Sequence, residues 1–370
     1  MPEHKRAARE AGWLPKLVAT DLDGTYICHG HGLSPEHRAA RDWLEGNGIP
    51  VVPVTGRGPR LLDLTRSEIG EGGLLIMGQG GIVYDGRTLI HRASMSGDLA
   101  QDILQKVRVH VDDVRIGAED GADFSEPLRL EHGFVWPYSM DESISVDADD
   151  VLTPDVLKVF VESHTWDIDE LTELIRSFVP PEVAYVTHSG IGFVEISPPN
   201  VSKAAGVKYI CDRFNIDHAD VLCFGDMPND LPMFQWSGRA VAMRDGHPDV
   251  LAVADDIAEA SCDFGIAKYV EGLFPDFKHV PTAAPSSDPV RPGSDGSGLD
   301  RPGSGSSGLD GSGLDGSGPG SSGLDGSGLD GSGLGRPDPS GPDSVQSGAI
   351  APGTHGLQGL TADENSGGPR

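Results

Sequence analysis

The chain has 370 residues, room for one large domain or two modest ones, and a formal net charge of −29. Such acidity excludes the clustered Lys and Arg that a nucleic acid or an anionic membrane surface demands, and no apolar run approaches the length that spans a bilayer. It leaves room for a small phosphorylated ligand, for which one local cationic pocket suffices.

In chain order, no apolar stretch follows the Met-Pro-Glu-His-Lys-Arg start, so no signal peptide is expected. Residues 17–20 form a short apolar run ending at Asp21. Ser34-Pro35-Glu36 supplies an N-cap, a proline at the first helical position and an acid in the first turn, predicting a helix that buries Ala40, Trp43 and Leu44 and stops at Gly46 or Gly48. A second run, 51–55, ends at Thr55-Gly56, and a third, 221–224, ends at Gly225-Asp226. Continuous apolar runs of this length read as buried parallel strands, and ligands of open α/β sheets sit at the carboxyl ends of such strands. Ser202 caps a predicted helix carrying Val207, Ile210, Cys211 and Phe214 on one face.

Lys203 comes 148 positions after Thr55, too far for one crossover. Leu74–Met77 returns to the sheet. The span 84–197 has its own predicted strands at 156–161, 182–187 and 191–196 and helices near 98–111 and 169–178, the second capped by Asp169. The expected fold is therefore α/β: a Rossmann-like parallel sheet core built from 1–83 and 198–281, with an inserted α+β domain at 84–197. Beyond 281 the composition turns to Gly, Ser, Pro and Asp. Residues 281–370 hold 24 of the 51 glycines and repeat the unit Gly-Ser-Gly-Leu-Asp. One leucine in five residues buries too little to offset chain entropy, so 282–370 is expected to be a disordered tail. The four cysteines form no C-x-x-C pair, and reduced buried thiols in a cytoplasmic protein are expected.

Four polar clusters punctuate the strand and helix ends. In Asp21-Leu22-Asp23-Gly24-Thr25, alternation sends the two carboxylates to one side, where one can attack phosphorus and the other manage the leaving group's proton. Gly24 permits a tight turn whose N–H groups can grip phosphate oxygens. Thr55-Gly56-Arg57 offers a hydroxyl and a guanidinium. Lys203 stands at a helix start, where the helix dipole disfavours a cation, so a lysine facing bound phosphate would justify it. Gly225-Asp226-Met227-Pro228-Asn229-Asp230 carries hard oxygen ligands suited to Mg²⁺. Each cluster alone also reads as an ordinary turn, cap or surface group. Together they make a self-consistent site: four acids would repel a phosphate dianion unless Mg²⁺ and Lys203 were present.

These clusters, in this order, resemble the four motifs of the haloacid dehalogenase superfamily, and the insert between the second and third looks like the type IIB cap of the Cof-type sugar-phosphate phosphatases. The resemblance implies a phosphoric monoester hydrolase acting on a small phosphorylated metabolite. Its catalytic residues would be Asp21, Asp23, Thr55 and Lys203. The phosphate would rest on Gly24, Thr55, Gly56, Arg57, Lys203 and Asn229, and Mg²⁺ would be held by Asp21, Asp23, Asp226 and Asp230. Gln79 stands where Cof-like members usually carry Asn, which bears on substrate preference. Phosphotransfer to another alcohol and non-catalytic binding of a phosphorylated ligand are the alternatives. A metal role for His29 and His31, and substrate contact by Glu131, His132 and Trp136, compete with solvated or packing roles. No nucleic-acid or membrane partner is expected, and the sequence sets no oligomeric state.

Overall fold

A computed structural model describes residues 12–28, 31–137 and 143–279. The tail beyond 281 and His29 lie outside them. The described chain runs β1 (Leu17–Asp21), α1 (Pro35–Gly46), β2 (Val51–Val54), α2 (Leu62–Ile69), β3 (Leu74–Met77), β4 (Ile82–Asp85), β5 (Thr88–Arg92), β6 (Met95–Ser96), α3 (Gly97–His110), β7 (Arg115–Asp120), β8 (Leu128–Glu131), β9 (Ser143–Val146), β10 (Asp155–Glu162), α4 (Ile168–Phe178), β11 (Tyr185–Thr187) and β12 (Val194–Ser197). It continues with α5 (Lys203–Phe214), β13 (Val221–Gly225), α6 (Leu231–Trp236), β14 (Arg239–Met243), α7 (Pro248–Val253), β15 (Asp256–Ala258) and α8 (Gly265–Leu273).

Eight strands form one sheet in the order β15-β14-β13-β1-β2-β3-β4-β5, parallel through β3 and antiparallel at β4 and β5. Both of its faces are covered. Val18, Leu22, Leu222 and Phe224 pack with Ala40 and Leu44 of α1 and Ile266 and Val270 of α8. The alternate residues Leu17, Ala19, Val221 and Cys223 pack with Val207 and Ile210 of α5 and Phe234 of α6. Burial on both faces is why these strands run as apolar segments up to their carboxyl ends. Pro53 sits in β2 without a backbone N–H, and the β2–β3 ladder is correspondingly short, with Val54 opposite Ile76.

A second sheet, β11-β12-β10-β7-β8-β9 with β6 beside β10, is antiparallel apart from β8–β9. Val159 and Val161 of β10 and Val194 and Ile196 of β12 join α3 and α4 in one apolar core. Phe160 and Phe193 join a separate cluster with Leu128, Leu130 and Phe134. Lys158 and Glu195 alternate with the valines and isoleucine and are also buried.

Three expectations are corrected. The residues from 84 to 92 continue the first sheet as an antiparallel hairpin, so the second sheet begins at Met95. The helix at 168–178 is capped by Asp167, whose side chain accepts the N–H groups of Asp169 and Glu170; Asp169 stands in the first turn instead. Cys28 and Cys262 form a disulfide with Cα atoms 4.9 Å apart, so only Cys211 and Cys223 are the expected buried thiols. Among the described residues no helix is long and apolar enough to cross a membrane.

Candidate active site

Sheet order builds the site. β13, β1 and β2 are neighbours, so their carboxyl ends bring Asp226, Asp21 and Thr55 side by side. The start of α5 contributes Lys203, fully buried. Ser202 caps that helix by accepting the Ala205 N–H at 3.3 Å. The Lys203 ammonium donates to Asp21 Oδ1 at 2.5 Å and to Asp230 Oδ1 at 2.7 Å. The expected conflict between a lysine and the helix dipole is thus resolved by two carboxylates.

Asp21, Asp226 and Asp230 bring carboxylate oxygens within 4.8 Å of one another, all three residues being buried. Burial, then the Asp230 and Asp226 charges, push the Asp21 pKa well above its ordinary value against the pull of Lys203. Burial and Asp230 raise Asp226 to about 6. Burial works against a charged Lys203, but Asp21 and Asp230 outweigh it and hold its pKa raised. Three carboxylates therefore share one ammonium, and the remaining two negative charges fit a dication. The donors are all oxygen, as a hard ion requires.

The individual roles are uneven. Asp230 Oδ2 accepts the N–H groups of Asp226 at 2.9 Å and Met227 at 3.0 Å while its Oδ1 takes Lys203, so its carboxylate shapes the loop and fixes the lysine. Asp226 Oδ1 accepts from the Thr25 hydroxyl at 2.6 Å, a contact the sequence reading missed. Gly24 has φ 83°, and its N–H donates to the Ile27 carbonyl at 3.0 Å, so it closes the turn rather than offering that N–H to a phosphate. Thr55 is buried, and its Oγ1 accepts the Arg57 N–H at 3.1 Å. The Arg57 guanidinium grips Asp23 through Nε at 2.9 Å and Nη2 at 2.5 Å, and Glu68 through Nη1 at 2.5 Å. In this structure it is a clamp on the carboxylate rather than a phosphate ligand. The Asp23 side chain is 44% exposed, unlike its partners.

A second polar chain closes over these loops. Asn229 Nδ2 donates to Gln79 Oε1 at 3.3 Å, and Gln79 Nε2 donates to Glu195 Oε2 at 3.1 Å. Lys158 Nζ donates to the same Glu195 oxygen at 2.6 Å and to the Gly56 carbonyl at 2.7 Å. The second sheet thereby touches the Thr55 loop directly and is linked to the Asp226 loop through Gln79 of the core. Trp136 stacks on Phe193 at 5.3 Å, with the Arg60 guanidinium 5.6 Å from its ring. Glu131 pairs with Arg108 at 2.7 Å, and His132 meets Ser145 Oγ at 2.6 Å, both structural contacts within the insert. His31 is in neither cluster of three potential metal ligands found among the described residues.

Residues 18–270 match the family model for haloacid dehalogenase-like hydrolase, more than half the chain and every motif above. The chain belongs to this family. It is a phosphoric monoester hydrolase of that family, and the second sheet with α3 and α4 stands where the type IIB cap was expected. Among curated relatives, the uncharacterized hydrolase C215.10 of Schizosaccharomyces pombe (strain 972 / ATCC 24843) is 28% identical, covering 71% of this chain and 93% of its own. The 5-amino-6-(5-phospho-D-ribitylamino)uracil phosphatase YwtE of Bacillus subtilis (strain 168) is 25% identical, covering 70% and 98%. The fold is shared with the solved haloacid dehalogenase subclass IIB sugar phosphatase BT4131, at TM-score 0.57 and 17% identity over 70% of this chain and 99% of that one.

Proposed function

We propose that the protein hydrolyses a small phosphorylated metabolite, a sugar phosphate or a similar polyol phosphate, through a phosphorylated Asp21. The observation that carries this reading is the buried Lys203 ammonium bridging Asp21 and Asp230 beside Asp226, a nucleophile held by a cation within an excess of carboxylates. Asp21 Oδ2 or Oδ1 attacks phosphorus, the ester oxygen leaves, and an aspartyl-phosphate forms. Asp23 supplies the departing alcohol with its proton and, as carboxylate, takes one from the water that attacks the intermediate. A protonated Asp23 keeps only one good acceptor for Arg57, so giving up that proton to the leaving alcohol is coupled to restoring the second guanidinium bond. Thr55 and Lys203 steady the phosphoryl oxygens, and Asn229 braces the loop against Gln79.

Mg²⁺ fits the donor set, with Asp21, Asp226 and the Asp23 backbone carbonyl as the groups that would hold it. Bound there it would neutralise charge on the phosphoryl group. The cap excludes water and selects the alcohol. The relatives' printed activities support the substrate class: one acts on a phosphorylated ribityl compound and one is a sugar phosphatase. The test is phosphate release from a panel of phosphometabolites with and without Mg²⁺, repeated with Asp21→Asn. The variant should fold and release none. Magnesium-dependent release by Asp21→Asn would sink the proposal.

A further inference from the structure

A second convergence of potential ligands lies where cap meets core, and the phosphoryl chemistry uses none of it. Asp169 stands in the first turn of α4 and His188 just beyond β11, both in the cap. His247 caps α7 in the core. His188 Nε2 lies 2.8 Å from Asp169 Oδ1, and His247 Nε2 lies 3.4 Å from Asp169 Oδ2. The three ligand atoms are within 4.8 Å of one another, and the two rings meet edge to face with centroids 5.9 Å apart. Three segments remote in sequence thus aim two imidazole nitrogens and a carboxylate at one point.

We propose that Asp169, His188 and His247 form a site for a borderline transition-metal dication of the zinc class, joining the cap to the core. Two imidazoles and one carboxylate suit zinc, cobalt or nickel, whereas magnesium takes oxygen alone. Donors on a tetrahedral ion with bonds of about 2.0–2.1 Å lie roughly 3.3 Å apart. The two imidazoles stand 2.8 and 3.4 Å from separate oxygens of the Asp169 carboxylate, and all three ligand atoms lie within 4.8 Å, so side-chain rotation of the exposed Asp169 would draw them onto one ion. The His188 ring is buried, and burial lowers its pKa against the pull of Asp169, which keeps it neutral and ligand-competent. Asp167 and Glu170 neighbour Asp169 at the start of α4, and Asp249 Oδ2 lies 3.8 Å from His247 Nδ1, while Arg176 adds one positive charge near His188.

Without the ion the arrangement is a hydrogen-bonded pair of contacts to Asp169. His188 Nδ1 accepts the Gly190 N–H at 3.3 Å and His247 Nδ1 accepts the Asp249 N–H at 3.2 Å, which leaves each ring proton on Nε2, facing Asp169. Binding moves both protons to Nδ1 with no net release, at the cost of those two long backbone contacts. On His247 the moved proton faces Asp249 Oδ2, 3.8 Å away, which must move closer to accept it. The ion would hold the cap against a residue whose own N–H donates to the Asp226 carbonyl at 2.7 Å, beside the catalytic carboxylates. Occupancy therefore slows cap opening.

The test uses the full chain with saturating Mg²⁺ on the carboxylate site and Co²⁺ alone as probe, read by visible spectroscopy. Wild type should develop the strong d–d bands of a four-coordinate, nitrogen-ligated cobalt ion and saturate at one equivalent. His188→Gln and His247→Gln should each weaken binding by more than about tenfold and lose the bands. No such bands in wild type, or undiminished bands in both variants, would overturn the proposal. Loss in His188→Gln with retention in His247→Gln would overturn the bridge, since the cap alone would then hold the ion. Should His188→Gln fail to fold, His247→Gln decides, because it lies at a partly exposed helix start.

Discussion

At the scale of single residues, charge balance governs the site. Asp21 and Asp230 share Lys203 while Asp226 stands beside them, pushed up to about 6 by burial and then by Asp230. A carboxyl whose folded pKa exceeds its ordinary 3.8 contributes stability that is full below that value and lost as pH rises through about 6. Metal-free protein should therefore lose this contribution between about pH 4 and pH 6, and Mg²⁺ should offset the loss above that window. Asp226→Asn removes the titrating charge while keeping an acceptor for the Thr25 hydroxyl. In thermal melts with chelator at about pH 7 the variant should melt above wild type, and Mg²⁺ should stabilise it less. A lower melting temperature than metal-free wild type would show that the carboxylate serves packing rather than cation binding.

At the scale of elements, α5 carries a cation in its first turn against its own dipole, so its start depends on Ser202 and on the two aspartates. Ser202→Ala orphans the Ala205 N–H and should cost about 1 kcal/mol, a fall of roughly 2–4 °C in melting temperature for a domain of this size. An unchanged melt would mean that tertiary packing alone fixes the helix start. This cap was legible because serine before lysine and a periodic apolar face is a local signal. The strands ending at Asp21, Thr55 and Asp226 were legible for a similar reason, since burial on both faces writes a continuous apolar run. β7 was not read: Gly117 interrupts it and charged residues stand at both ends, while its stability comes from the ladder with β10. Lys158 and Glu195 were invisible as a pair because a charge inside an apolar strand declares no partner, and theirs are 37 residues apart in sequence. His188 and His247 gave no signal either, since their meeting depends on the cap's seat. Arg57 was expected to hold phosphate, whereas its partners in the structure are Asp23 and Glu68, which only the fold reveals.

At the scale of the whole molecule, two long-range ties set how the catalytic loops are framed. The Cys28–Cys262 disulfide joins the turn after β1 to the segment before α8 across 234 residues of sequence, a pairing no spacing rule could reveal. The other tie is the cap's seat on the Thr55 loop, where Lys158 reaches the Gly56 carbonyl and Glu119 packs against Gly58. Gly58 has φ −75°, which any residue adopts, so its smallness matters only for that approach. A Cβ there would stand 1.7 Å from Glu119 Oε1, and the Glu119 carboxylate, 3.5 Å from Arg60 Nε, would have to leave its place. Gly58→Ala should raise the free energy of the closed form by about 1–3 kcal/mol and lower kcat/KM by roughly tenfold with little change in the melting temperature. Glu119→Ala removes the obstructing atoms, so the double variant Gly58→Ala/Glu119→Ala should recover part of the loss. Such coupling between residues 61 positions apart arises only if cap and core meet at this point during turnover. Equal losses in the single and double variants would instead place the whole effect of Gly58 within its own loop.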